Sequence, residues 1–174
     1  MLRDCKITQI YEGTNGIQAM DLLGRKLGLN KGRAFTDLLA EVQKTVDAAR
    51  QIETLAPLAE MMDAAVIKLM ETAKALGTVM GAKKIEAAFA QAHPFLDVTG
   101  DTLMGWMLLW RAVIATRKLA DKPKKKDVSF YEGQLKSAQF FIHSVLPVAR
   151  GKMEVIMAGD TAALDISEEA FGSK

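Results

Sequence analysis

Glu12 is the residue whose type and position most clearly suggest chemistry. It stands just before the turn-forming residues Gly13-Thr14-Asn15-Gly16, and its carboxylate is a potential proton acceptor. The tetrapeptide Tyr-Glu-Gly-Thr also fits a loop that exposes a glutamate near the start of a helix. From these four residues alone, the structural interpretation is favoured over the catalytic one.

Other residues that could carry chemistry are few. His93 and His143 are the only histidines, and we expect both to be surface or structural residues. Pairs of carboxylates at helical spacing lack the histidine partners of a di-metal bundle, so no metal site is predicted. Cys5 is the only cysteine, which excludes an intrachain disulfide and a thiolate metal cluster. A reducing, cytoplasmic compartment fits this usage.

The composition is that of an ordinary globular protein. The chain has 174 residues, of which 49% are hydrophobic and 25% charged, with a net charge of +2, and it is long enough for one domain with a sizeable core. The densest basic run, Lys122 to Lys126, is interrupted by Pro123, and we interpret it as a solvated linker. No stretch approaches the ~18 apolar residues of a membrane span. We therefore predict no nucleic-acid partner and no integral membrane segment.

The elements that must position Glu12 are predicted to be helices. Apolar residues recur with a period of 3.6, and no stretch keeps the strict alternation of a half-buried strand. The glycine-rich first 30 residues predict a loop and a short helix from about Ile17 to Leu27. Four long helices follow: helix A from Phe35 to Ile52, helix B from Pro57 to Leu76, helix C from Ala82 to Ala120 and helix D from Tyr131 to Met157.

Two prolines should interrupt these helices. We expect a kink or restart at Pro94 in helix C and a bend at Pro147 in helix D. The segment from Leu103 to Leu119, with Trp110, has little polar face and is predicted to be the buried centre. Long helices with short connections predict an all-α, up-down antiparallel four-helix bundle, preceded by the Gly-rich loop and short helix.

The N-terminal sequence closely resembles the region of acyl-CoA dehydrogenases that carries the catalytic base. Besides Tyr11-Glu12-Gly13-Thr14, the agreement includes Arg3-Asp4, Ile7, Ile10, Asn15, Ile17-Gln18 and Gly24-Arg25. Where the best-studied members have a glutamine four residues after the base, this chain has Gly16, so a cofactor contact from that side chain is absent. Helices A to D resemble the additional C-terminal domain of a long subgroup. Residues 1–33 would then belong to the dehydrogenase domain and residues 34–174 to the appended four-helix domain.

The resemblance implies the α,β-dehydrogenation of an acyl-CoA thioester with FAD as cofactor. Glu12 would be the catalytic base, Glu12 and Gly13 would contact the substrate, and Thr14 would contact the flavin. The complete enzyme would form a homo-oligomer and pass electrons to electron-transfer flavoprotein. We expect the chain to be a C-terminal fragment of such an enzyme, inactive alone and without bound FAD. The alternative is a helical interaction or oligomerisation module with no catalytic role.

Overall fold

The computed structural model describes residues 2–11 and 13–172, with the backbone alone at positions 2 and 3. Within these ranges every regular element is a helix, which confirms the predicted all-α bundle. The α-helices are α1 (Leu2–Lys6), α2 (Thr14–Asp21), α3 (Arg33–Arg50), α4 (Ala56–Gly81), α5 (Ile85–Ala90), α6 (Ala92–Ala120), α7 (Lys125–Ser144), α8 (Leu146–Ala158) and α9 (Ala162–Asp165). A π-helical segment (Leu22–Lys26) extends α2, and 3-10 turns lie at Ile7–Gln9, Leu29–Gly32 and Glu168–Phe171. None of the described helices is long and apolar enough to cross a membrane.

Helices α3 and α4 form a hairpin that is fastened by Arg50. Its Nε donates to Glu60 Oε1 at 2.8 Å, and its Nη2 donates to Asp63 Oδ2 at 2.7 Å. A third donor, Nη1, reaches Asp47 Oδ1 at 3.1 Å. Because the hydrogen bonds to Glu60 and Asp63 favour the charged guanidinium, the pKa of Arg50 is raised. One side chain thus ties the end of α3 to the beginning of α4.

The core lies where α3, α4, α6 and α8 meet. The apolar residues that recur with helical period in predicted helices A and B include a buried set: Val42, Val46, Ala49, Met62, Ala65 and Leu69 are all fully buried. Gly105 allows α6 to approach α4 and α8 closely. A Cβ at this position would lie 3.1 Å from Leu146 Cδ1 and 3.2 Å from Met62 Sδ.

The predicted helices C and D are each divided into two helices. The first break falls at Gln91, between α5 and α6, and the second at Val145, between α7 and α8. The prolines therefore mark the breaks but lie just inside the following helices. Proline is tolerated there because the N–H groups of the first turn have no intrahelical partner. Helix α7 also begins six residues earlier than predicted, so Lys125 and Lys126 are helical rather than part of a linker.

The prediction that residues 103 to 119 form a buried centre is wrong at Trp110. Its side chain is 49% exposed, and it stacks on Trp106 with ring centroids 6.4 Å apart. Trp106 is the partly buried member of the pair, and its Nε1 donates to Thr45 Oγ1 on α3 at 2.8 Å. Met104 and Ile114 are exposed as well. Helix α6 therefore presents an apolar face to solvent.

The N-terminal segment packs on the bundle through α2 and the π-helical segment. Ala19 and Leu23 are buried and belong to the same hydrophobic core as the long helices. Gly24 lies against α5, because a Cβ there would be 3.1 Å from the ring of Phe89. The division into domains at residue 33 stays a prediction.

Candidate active-site turn

The candidate site is the turn between α1 and α2. Glu12 itself lies outside the described residues. Before it, the backbone N–H groups of Ile10 and Tyr11 both donate to the carbonyl oxygen of Ile7, at 3.1 and 2.8 Å. The backbone of Tyr11 is thus held by a hydrogen bond, while its side chain is 62% exposed.

Gly13 and Thr14 give the turn a left-handed backbone. Gly13 has φ 91° and ψ 20°, and Thr14 has φ 72°. Glycine adopts this conformation readily, whereas a β-branched residue does so rarely and under strain. A Cβ at position 13 would also lie 3.2 Å from the Cβ, Cγ1 and Cγ2 atoms of Ile17. Position 13 therefore favours glycine for both its backbone conformation and its limited space.

Helix α2 begins directly on this turn and supports it. The first N–H groups of any α-helix have no intrahelical partner, and Gly13, the N-cap of α2, supplies no side-chain hydrogen bond to them. At the other end of α2, Arg25 donates to both carboxylate oxygens of Asp21, at 2.6 and 2.7 Å. These hydrogen bonds, with a further contribution from Lys26, lower the pKa of Asp21. The ion pair is local to α2 and the π-helical segment, whereas the buried Ala19 packs α2 against the core.

The outer side of the turn is an open surface. Apolar side chains that are about half exposed or more surround it, namely those of Ile7, Ile10, Tyr11, Ile17 and Met20. Thr14 is exposed too. Such a concentration of exposed apolar side chains is typical of a surface that another polypeptide or a ligand covers.

The remaining candidate residues do not join this turn in a catalytic group. His93 and His143 are exposed, and His93 Nδ1 lies 3.8 Å from Asp97 Oδ2 on α6. His143 lines a groove of 540 Å³ between the start of α4 and α7. Cys5 is exposed. In the described part of the chain, no three His, Cys, Asp or Glu side chains are grouped as metal ligands would be.

Sequence reasoning did not anticipate that Ile17 would leave no room for a Cβ at position 13. The four-residue spacing across the start of a helix could have indicated it, because residues at that spacing face each other. The strained backbone of Thr14 had no signal in the residue type, since threonine seldom takes a positive φ.

Comparison with known proteins places this turn in a family context. Residues 38–167 match the protein family described as Acetyl-CoA dehydrogenase C-terminal like, and matches to acyl-CoA dehydrogenases that cover 98% of the chain extend over the turn as well. The chain belongs to the acyl-CoA dehydrogenase family. It is a C-terminal portion of such a protein, as the sequence resemblance predicted.

Three relatives illustrate the similarity. The chain is 33% identical over 173 residues to a butyryl-CoA dehydrogenase of Syntrophomonas wolfei, and the match covers 98% of the chain. It is 31% identical over 175 residues to the broad-specificity linear acyl-CoA dehydrogenase FadE5 of Mycobacterium tuberculosis, again covering 98%. It is 35% identical over 152 residues, 83% of the chain, to the 3-methylmercaptopropionyl-CoA dehydrogenase of Ruegeria pomeroyi. The chain spans only 28%, 29% and 24% of these relatives, respectively.

Proposed function

We propose that this chain supplies the catalytic base, Glu12, of a FAD-dependent acyl-CoA dehydrogenase whose other parts complete the active site. The observation that supports the proposal is the left-handed backbone of Gly13 and Thr14, directly after Glu12. Strained backbone persists only where the surroundings enforce it, and it is concentrated at functional sites. Thr14, a non-glycine residue with φ 72°, is such a position.

In this proposal the Glu12 carboxylate removes a proton from the α-carbon of an acyl-CoA thioester. The thioester carbonyl gains negative charge as that proton leaves, so a donor aimed at the carbonyl oxygen stabilises the transition state. The backbone N–H of Glu12 is the proposed donor. Since Gly13 has no Cβ, the thioester can approach the backbone at this point.

FAD, when bound, accepts the β-hydrogen as hydride. Thr14 is the proposed contact from this turn, because its hydroxyl side chain is exposed beside Gly13 and Gly16, which add no side-chain bulk. These residues fit one edge of such a cofactor. They do not enclose it, and ligand sites commonly bury 70–90% or more of a ligand. The isolated chain is therefore expected to be colourless and inactive. In this proposal the complete enzyme is cytoplasmic and homo-oligomeric, binds acyl-CoA and passes electrons to electron-transfer flavoprotein.

The test is Glu12→Gln in a complete enzyme assembled from this chain and the missing dehydrogenase part. Glutamine keeps the shape of glutamate but cannot accept the proton. We expect acyl-CoA to bind normally while flavin reduction by substrate, followed by bleaching of flavin absorbance, slows by at least ~10². Glu53→Gln is the matched control, because Glu53 is exposed in the connection between α3 and α4 and the chemical change is the same.

The binding and rate measurements separate the two interpretations of the turn. If Glu12→Gln and Glu53→Gln both reduced flavin within a fewfold of the unmodified enzyme, the base would lie elsewhere. The chain would then be better described as a helical interaction module, which is the alternative that the sequence leaves open.

A further inference from the structure

The corner where α6 meets α7 carries a concentration of charge that the catalytic proposal does not use. We define the corner patch by residues that are exposed on this part of the surface: Arg111, Ile114, Arg117, Lys118, Lys122, Lys124, Lys125, Lys126 and Phe130. Residues 111–131 contain seven basic and two acidic side chains, a net charge of +5, whereas the whole chain has only +2. The patch is therefore strongly basic on an otherwise slightly acidic protein.

The positive charges of the patch are not neutralised within the bundle. Among the described residues, no carboxylate lies within ion-pair distance of these lysines and arginines. Lys125 and Lys126 also occupy the first turn of α7, where the helix dipole disfavours cations. This arrangement does not stabilise the fold, and an anionic partner would relieve its repulsion.

Exposed apolar side chains lie among these charges. Phe130 is 60% exposed and Ile114 is 43% exposed. Ile114 lines two neighbouring grooves, one shared with Trp110 and Arg117 and the other with Arg111 and Phe130. Lys126 and Phe130 are four residues apart and share one face of α7. Cationic and apolar side chains thus form one continuous surface.

We propose that the corner patch binds an anionic lipid surface. Phe130 and Ile114 would enter the boundary between headgroups and acyl chains, while the lysines and arginines contact lipid phosphates. A mixture of exposed aromatic, aliphatic and basic side chains is typical of interfacial binding, and flexible lysines adapt to mobile lipid headgroups. The lysines lie on a connection and a first helical turn, not around a shaped pocket, which favours a fluid anionic surface over an acidic protein with fixed charge positions.

The experiment measures sedimentation of the 174-residue chain with phosphatidylcholine vesicles, with and without phosphatidylglycerol. We expect binding to the anionic vesicles only, and a decrease with added salt. Each lysine near an anionic surface contributes about 1 kcal/mol, so Lys125→Gln/Lys126→Gln should weaken binding roughly 30-fold. The matched control, Lys83→Gln/Lys84→Gln, changes the charge equally in the exposed turn after α4 and should bind normally.

A second pair of variants tests the apolar contact. Phe130→Ala should weaken binding by roughly tenfold or more, whereas Phe140→Ala, 68% exposed on the same helix, should not. Tryptophan fluorescence tests the unmodified chain directly. Trp106 and Trp110 are its only tryptophans. Both line the same groove as Ile114, so brominated anionic lipids should quench their fluorescence.

Three results would overturn the proposal. The first is equal binding to neutral and anionic vesicles, or equal loss in the variants and their controls. The second is tighter binding of soluble polyglutamate than of vesicles, which would indicate an acidic protein partner. The third is self-association that Phe130→Ala abolishes, which would indicate a second copy of the chain.

Discussion

Gly105 offers a sharp test of how closely α6, α4 and α8 are packed. The substitution Gly105→Ala adds one methyl group to the middle of α6. Relative to glycine, alanine stabilises a helix interior by about 1 kcal/mol. The added Cβ, however, would lie 3.1 and 3.2 Å from the two terminal carbons of Leu146 and 3.2 Å from Met62 Sδ.

The neighbours of Gly105 have little room to move. Met62 and Leu146 are at most 1% exposed, so their displacement must be passed on to other core side chains. Inserting a methyl group into a well-packed core costs about 1–3 kcal/mol. After the gain in helix propensity, we expect Gly105→Ala to lower the free energy of unfolding by about 0–2 kcal/mol.

Gly100→Ala on the same helix is the matched control. Gly100 is exposed, and no atom lies within 4 Å of a Cβ built there. Only the propensity gain applies, so this variant should be up to about 1 kcal/mol more stable than the unmodified chain. Urea denaturation followed by circular dichroism measures both variants. If Gly105→Ala were stabilised as much as Gly100→Ala, the close approach of the three helices would be refuted.

Three further substitutions test burial and ionisation. Phe95→Ala should destabilise the chain by about 3–5 kcal/mol because Phe95 is fully buried. Trp110→Ala should cost less than half as much in the same denaturation assay. Equal costs would contradict the outward position of Trp110. Burial raises the pKa of Asp101 above its usual 3.8, with Asp97 adding to the rise and Lys152 opposing it. The folded state then holds this proton more tightly than the unfolded state. The contribution of Asp101 to the free energy of unfolding therefore falls as the pH rises through its folded pKa. Asp101→Asn should gain stability over the unmodified chain between acidic and neutral pH, and a constant difference across that range would exclude this origin.

The helices and much of the core were predictable from the sequence. In α3 the inward residues Val42, Val46 and Ala49 are separated by charged and polar positions, so the pattern itself distinguishes inside from outside. In α6 every residue from 103 to 115 except Arg111 is apolar or glycine, so periodicity gives little indication of the buried face. The prolines indicated two helix breaks, but their position within a first turn displaced each break toward the N-terminus.

The candidate site was predictable in a different way. The residues of the turn pointed to chemistry only through their resemblance to a family, since a glutamate before Gly-Thr has an ordinary structural explanation. The left-handed backbone of Gly13 agrees with its residue type. That of Thr14, with φ 72°, does not, because a β-branched residue rarely takes a positive φ and local propensity therefore does not predict it.

Helix α6 connects the basic corner patch to the part of the bundle on which α2 packs. It has 29 residues and a length of roughly 43 Å. Helix α2, which begins at Thr14, packs on α6. The last turn of α6 carries Arg117 and Lys118. A continuous helix behaves as a rigid rod, so a partner that tilts its C-terminal end also moves the support of the Glu12 turn. Under the proposed function, a partner bound at the basic corner would therefore be connected through α6 to the turn that contains the proposed base.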